Sequence, residues 1–207
     1  MNPETAELWA QQDQHRGDRW RLFGAIAESV DASTVLYPGS YVDLAPSFVF
    51  DSVTYLDVDK RAATFFADTD GVREIVAEHD GPADPDITFI HADYRSDLDL
   101  PDHRFDLLVS LYAGFISEHC TRHLRIGGTL LVNPSHGDAA MASIDPRYAL
   151  AGVIDARDGR YRVSTSDLDT YLIPKKQQLV TVETLHETGR GVGYTKSPFA
   201  YLFNRIA

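Results

Sequence analysis

The stretch from Thr34 to Asp59 constrains this chain most, because it reads as strand, glycine turn, short helix, second strand and a pair of acids. Val35, Leu36 and Tyr37 form an apolar run that stops at Pro38-Gly39-Ser40. Proline fixes φ there and glycine permits a positive φ, so a sharp turn is predicted. Asp43 or Ser47 is the expected cap of a short helix with Pro46 in an early position and Phe48, Val49 and Phe50 as its apolar face. A second strand through Val53, Tyr55 and Leu56 ends at Asp57. In open parallel sheets ligands bind beyond the carboxyl ends of the strands, which is where Gly39 and Asp57 fall.

The rest of the chain continues the alternation. Residues 1–30 read as two helical segments separated near Gly17, with Asp18 capping the second and Trp20, Phe23, Ile26, Ala27 and Val30 recurring at helical spacing. Trp9 and Trp20 are expected in the core rather than as a lid. Asp59 to His79 reads as a helix broken at Gly71, and a polar loop from Gly81 to Asp86 leads to a strand over Ile87–His91 that ends at Ala92-Asp93-Tyr94. His91 is expected to be a strand residue with a local hydrogen bond. Phe105–Leu111 is nearly continuous apolar sequence, as in a parallel strand covered on both faces. A helix over Gly114–Arg125 is predicted to stop at Gly127-Gly128, followed by a strand over Thr129–Val132 that ends at Asn133-Pro134. The fold class is therefore α/β, with a doubly wound, mostly parallel sheet.

Beyond His136 the rhythm changes. Asp158-Gly159 favours a tight turn, so residues 150–164 read as a hairpin. Ser166 and Asp169 are spaced as a capping box for a short helix ending at Pro174. A strand-like or helical run extends from Gln178 through Leu185, and Phe199, Tyr201 and Phe203 alternate in a final strand. The whole is expected to form one domain over 1–207, with an N-terminal helical segment at 1–30 and a hairpin-containing insertion at 138–176.

Composition narrows the partners. With 207 residues, 43% hydrophobic and 24% charged, the chain suits one globular domain rather than a disordered one. A net charge of −12 repels a phosphate backbone, so no nucleic-acid partner is expected and a neutral or cationic small-molecule substrate fits better. Cys120 is the single cysteine, which excludes an internal disulfide. The first residues lack the apolar centre of a signal peptide. The longest apolar run, Leu107 to Ile116, falls short of the roughly 20 residues that span a bilayer, so no membrane association and a cytoplasmic location are expected. His119 and His123 stand one helical turn apart beside Glu118, but a third ligand at clear spacing is missing, and no metal is expected.

Taken together, Val35 to Asp43, Asp57, Ala92-Asp93, Phe105-Asp106 and the run Leu124-Arg125-Ile126-Gly127-Gly128-Thr129-Leu130-Leu131-Val132 resemble class I S-adenosylmethionine-dependent methyltransferases. The resemblance covers roughly residues 30–133 together with the terminal strand, and implies a Rossmann-like methyltransferase fold with an antiparallel C-terminal strand. It also implies S-adenosyl-L-methionine as cofactor. On that likeness, Pro38, Gly39 and Ser40 bring bare backbone to the methionine part, and Asp57 accepts from both ribose hydroxyls. Val58 packs on the adenine, Asp93 accepts from its amine with Tyr94 alongside, and Ser110, Leu111 and Tyr112 line the cleft. Tyr37 stands where the family usually has an acid, while Tyr41 and Asp43 replace its second and third glycines. Tyr41 therefore either redirects the loop or joins the site, and Asp43 faces either the carboxylate or the ammonium of the methionine part.

In-line methyl transfer needs no obligatory acid or base. If a proton must leave, strand-end placement nominates Tyr112 or His136. Asn133-Pro134-Ser135-His136 is read as a plain turn, because the Asn-Pro motif of amino-group methyltransferases follows the fourth strand and this one follows the fifth. Two other functional readings stay open: a non-catalytic methyltransferase-like binding module, and a dinucleotide-dependent oxidoreductase, whose three-glycine fingerprint Gly39 alone does not meet.

Overall fold

The computed structural model describes residues 1–15, 17–176 and 179–207, and the chain divides into two compact units, Met1–Asp99 and Leu100–Ala207. The first unit runs α1 (Pro3–Gln12), α2 (Asp18–Ala27), β1 (Thr34–Pro38), a 3-10 turn (Ala45–Phe48), β2 (Ser52–Asp57), α3 (Lys60–Ala67), α4 (Thr69–Glu78) and β3 (Asp86–His91). Its strands are parallel in the order β3-β2-β1, with Tyr37 opposite Tyr55 and Asp57 opposite His91. Each step along the chain adds a strand outward on the same side, as crossover connections allow.

The core of this unit forms where apolar periodicity meets the strands. Leu22, Phe23 and Ile26 of α2, Val35–Tyr37 of β1, Tyr55 and Leu56 of β2, and Phe65 of α3 are fully or almost fully buried. Trp9 packs edge-on against Phe48, at 5.7 Å between ring centres. Trp20 does not join the core and is 44% exposed. The α2 cap is Gly17, at φ 71, rather than Asp18, which is the first helical residue. The helix expected over 59–79 breaks at Asp68 instead of Gly71: the Asp68 carboxylate accepts from the Gly71 N–H at 3.1 Å and starts α4. Glycine at 71 leaves room for its neighbours, since a Cβ there would lie 2.3 Å from Asp68 Oδ2 and 2.9 Å from the Met1 Cα. Neither Asp43 nor Ser47 is the cap of the 3-10 turn, which Leu44 precedes with Pro46 early in it.

The second unit comprises β4 (Phe105–Ser110), α5 (Ile116–Cys120), a 3-10 turn (Thr121–His123), β5 (Leu124–Val132), α6 (Asp138–Ile144), β6 (Tyr148–Arg157), β7 (Arg160–Ser164), α7 (Val182–Thr188) and β8 (Ala200–Arg205). Strand order is β4-β5-β8-β6-β7; β4 and β5 are parallel, and β8 enters antiparallel between β5 and β6. The hairpin turn falls at Asp158-Gly159, with φ 53 and φ 68, the paired positive values of a tight primed turn.

Gly127-Gly128 does not stop a helix as expected. The helical stretch ends at His123, and both glycines lie inside β5, at a register shift where Phe105 pairs Leu124 but Leu107 pairs Thr129. Gly128 absorbs the resulting crowding, since a Cβ there would stand 2.9 Å from the Arg125 carbonyl oxygen. Ser166 and Asp169 form no capping box: only a 3-10 turn over Leu168–Thr170 forms, without a side-chain cap. The reciprocal cap occurs instead at Thr181 and Thr184, at the start of α7. Of the run read from Gln178 to Leu185, Gln178 lies outside the described residues. No helix among the described residues is long and apolar enough to cross a membrane.

Candidate functional site

Beyond the carboxyl ends of β1, β2 and β3 lies a hollow of about 230 Å³, lined in part by Gly39, Asp57, Val58, Asp93, Tyr94 and Arg95. The sequence places each of these at a strand end, and parallel register brings the three ends level. Gly39 turns the chain with φ 67 and ties back to the sheet through its N–H, which donates to the Leu56 carbonyl at 2.7 Å. Val58 is an exposed apolar side chain, 61% accessible, in the wall of a polar hollow.

The Asp57 carboxylate is fixed from two sides. The Tyr41 N–H donates to Oδ2 at 2.7 Å and the Asp59 N–H to Oδ1 at 2.8 Å. An ionised carboxylate has about four acceptor positions, so this arrangement orients both oxygens and leaves each of them capacity for another donor. Such a group suits a vicinal diol, which presents two donors at the spacing of the two oxygens.

Tyr41 follows the Gly39 turn in a left-handed conformation. Its φ of 48 is in the left-handed region that glycine adopts most freely. The ring stays out of the hollow and lies beneath the Arg61 guanidinium, 5.1 Å from its centre, while Arg61 is held by Asp59 at 2.6 Å. The Arg61 hydrogen bonds in turn hold the Asp59 carboxyl below its ordinary range.

Other nominated residues face elsewhere. Tyr37 is in the core of the first unit, with its hydroxyl donating to Asp43 Oδ2 at 3.1 Å. Asp43 is itself buried, with Arg19 Nε at 3.5 Å, and is not part of the hollow's lining. Burial pushes its carboxyl up, against the opposing pull of Arg19 and the Tyr37 hydroxyl. Ser40 is buried with Oγ toward the Tyr41 carbonyl, and Pro38 is the last residue of β1. His91 uses Nε2 to contact the Val58 carbonyl oxygen at 2.9 Å.

In the second unit, Ser110 turns inward. Its Oγ donates to Asp138 Oδ2 at 2.5 Å, and Asp138 also accepts from Ser117 Oγ at 2.5 Å and from the Ser117 N–H at 3.2 Å. Burial pushes the Asp138 carboxyl up to about 6, although these hydrogen bonds pull the other way. Leu111 is buried. Tyr112 is 52% exposed at φ 58, with its N–H toward Asn133 Oδ1 at 3.3 Å. His136, also at φ 58, is exposed and pairs through Nδ1 with Ser135 Oγ at 2.5 Å.

Glu118 and His123, which stand near His119 in the sequence without a third ligand at clear spacing, are drawn into other bonds. Glu118 meets His186 at 2.8 Å, and the buried His123 contacts the Pro101 carbonyl oxygen at 3.1 Å. Among the described residues no group of three or more His, Cys, Asp and Glu is arranged to hold a metal ion.

Two features escaped sequence reasoning. Asp138 reads as an ordinary first residue of a helix, and its serine partners are 28 and 21 residues away. The arginine forks left a local signal: Asp59/Arg61, Asp93/Arg95 and Asp145/Arg147 share one spacing and one geometry, with the arginine N–H and guanidinium both on the acid two residues earlier.

No protein-family model and no curated protein matches the chain. Among solved structures it is similar to a chain of the complex between the Haloferax volcanii Trm112 methyltransferase activator and a protein assigned as a methyltransferase, at 16% identity over 100% of this chain and 99% of that one, with a TM-score of 0.55. It also aligns with a protein of Methanococcus maripaludis assigned as an S-adenosyl-L-methionine-dependent methyltransferase, at 15% identity and TM-score 0.47 over 63% of this chain; the match spans 61% of that chain. An O-methyltransferase from Bacillus cereus solved in complex with SAH aligns at 11% identity over 79% and 89% of the two chains, with a TM-score of 0.46. Strand order within the two units, the antiparallel β8 and the full-length similarity agree: the chain shares the Rossmann-like α/β fold of class I S-adenosylmethionine-dependent methyltransferases.

Proposed function

We propose that the chain is an S-adenosylmethionine-dependent methyltransferase acting on a small molecule. The observation that carries the reading is Asp57: a carboxylate oriented by two backbone N–H groups, with acceptor capacity on both oxygens, in a hollow shared with the Gly39 turn and the exposed Val58. Asp57 would take the ribose diol, Val58 the face of the base, and Gly39 would admit the chain that leads toward the sulfonium. At about 230 Å³ the hollow is smaller than the ~300–1,000 Å³ of a complete ligand pocket, which suits the nucleoside part alone.

When bound, S-adenosylmethionine supplies an electrophilic methyl group. The protein's task is then to hold an acceptor in line with it, and orientation alone accounts for much of the acceleration. Tyr112 and His136 are the candidate groups for receiving a proton from an acceptor that must lose one. The net charge of −12 favours neutral or cationic acceptors. The complex formed by the Haloferax protein adds a protein activator to the partners to be tested with this chain.

A non-catalytic binding module is the second reading, favoured by Ser110, whose hydroxyl is committed to Asp138. Calorimetric titration with S-adenosylmethionine, S-adenosylhomocysteine and NAD separates the readings. Binding of the two sulfur nucleosides without NAD is expected; binding of NAD alone supports the oxidoreductase, and silence toward all three leaves the binding module.

A further inference from the structure

Asp93 is expected to accept from the amine of a bound adenine, yet in the structure its carboxylate is engaged by its own neighbour. Arg95 donates through Nε to both oxygens at 3.0 and 3.1 Å, through Nη2 to Oδ2 at 2.5 Å, and through its backbone N–H to Oδ1 at 2.9 Å. The guanidinium stands 5.9 Å from the centre of the Tyr94 ring. Asp93, Tyr94 and Arg95 all line the hollow that contains Asp57. A carboxylate offers about four acceptor positions, and this fork takes most of them.

The two related forks have other tasks. Asp59 caps α3, accepting from the Arg61 N–H, and Asp145 closes the end of α6. Asp93 caps no helix. Its fork is also open to water, with the Arg95 side chain 64% and the Asp93 side chain 35% exposed. An exposed ion pair shifts an equilibrium by only ~2–5-fold, so a ligand that donates to Asp93 can displace it.

We propose that Arg95 is a specificity-determining residue of the hollow, an internal competitor that holds the Asp93 carboxylate until an amino-bearing nucleobase replaces it. The inference rests on the cofactor reading above. A carboxylate accepts and cannot donate, so alone it would favour adenine and repel a base with a carbonyl in the same place. Arg95 blunts that discrimination twice over, by occupying the carboxylate and by offering N–H donors to such a carbonyl. Removing the guanidinium therefore raises affinity for adenine and widens the gap between the two bases.

The test is calorimetric titration of S-adenosylhomocysteine and S-inosylhomocysteine into the wild-type protein, Arg95→Ala, Arg95→Gln and Asp93→Asn, each at low and high salt. Both arginine variants are expected to bind S-adenosylhomocysteine ~2–5-fold tighter than wild type at low salt and to discriminate more strongly against the inosyl compound. Salt should tighten S-adenosylhomocysteine on the wild type, by screening the fork, and leave the arginine variants unaffected. Asp93→Asn should lose the preference for adenine. If the wild type binds S-adenosylhomocysteine but the arginine variants bind it equally or more weakly, the competitor role is overturned while the cofactor reading stands. If the wild type binds neither compound, the cofactor reading fails and the proposal falls with it. Arg95→Gln keeps much of the side chain's length and so controls for lost packing.

Discussion

Replacing Asp138 with asparagine should change how stability depends on pH. Two effects oppose each other at this carboxylate. Burial disfavours its charge, whereas Ser110 Oγ, Ser117 Oγ and the Ser117 N–H all donate to it. Burial wins, and the carboxyl rises from an ordinary 3.8 to about 6 in the folded chain. The folded state then holds the proton more tightly than the unfolded state does. The stabilising contribution of that proton is complete below pH ~4 and is lost as pH rises through ~6. At ~1.4 kcal/mol per pH unit between those values, the group removes ~3 kcal/mol of stability across the window. Asp138→Asn keeps an acceptor for the Ser117 N–H and can donate to a serine oxygen, but it does not titrate. Urea unfolding followed by circular dichroism at pH 4, 5, 6 and 7, at constant ionic strength, gives the difference between variant and wild type directly. The difference should move in the variant's favour by ~2–3 kcal/mol from pH 4 to pH 7. A difference that stays flat, or moves the other way, would mean that the hydrogen bonds from these three donors outweigh burial.

Three backbone substitutions test the local geometry. Gly128→Ala should destabilise the chain by ~1–3 kcal/mol in the same urea assay, because the new methyl would meet Leu124 Cδ1 at 2.7 Å and the Arg125 carbonyl oxygen at 2.9 Å. Gly24→Ala, in the interior of α2 with nothing within 4 Å of the added carbon, should instead stabilise by ~0.5–1 kcal/mol; a loss there would contradict the helix assignment. Tyr41→Val should cost ~1–2 kcal/mol more than Tyr41→Gly, since a β-branched side chain tolerates a φ of 48 poorly and glycine tolerates it freely; equal melting temperatures would show that the turn is not left-handed.

Much of the first unit is legible in the sequence, because there the local signals and the tertiary environment agree. Val35–Tyr37, Val53–Leu56 and Ile87–His91 are β-branched and aromatic runs bounded by breakers, and each became a strand of the parallel set. The acid at 57 and the glycine at 39 could be placed in one hollow because strand ends in a parallel sheet are level. Asp158-Gly159 marked its hairpin for the same reason, as a turn whose chemistry is wholly local.

The failures occur where a distant partner decides. Gly71 resembles a helix breaker, but the break comes from the Asp68 carboxylate, which ends one helix and caps the next. Gly127-Gly128 resembles a helix stop, yet pairing with β4 extends β5 back to Leu124 and makes the glycines part of a register shift. Trp20 follows the helical period of Phe23 and Ile26 but lies off the buried face. At the candidate site, Tyr37 and Asp43 occupy positions that the resemblance assigns to a ligand, and they instead satisfy each other inside the first unit. A buried carboxylate such as Asp138 is invisible to pattern reading, because its burial and its serines are supplied by other elements.

The Asp57 carboxylate is the anchor proposed for a bound nucleoside. Calorimetric titration of S-adenosylhomocysteine into the wild-type protein and Asp57→Ala, side by side, measures this, with circular dichroism to confirm that both are folded. A weakening of ~1.5–3 kcal/mol is expected from the lost charge-assisted hydrogen bonds. Equal affinity in the two proteins would contradict the assignment.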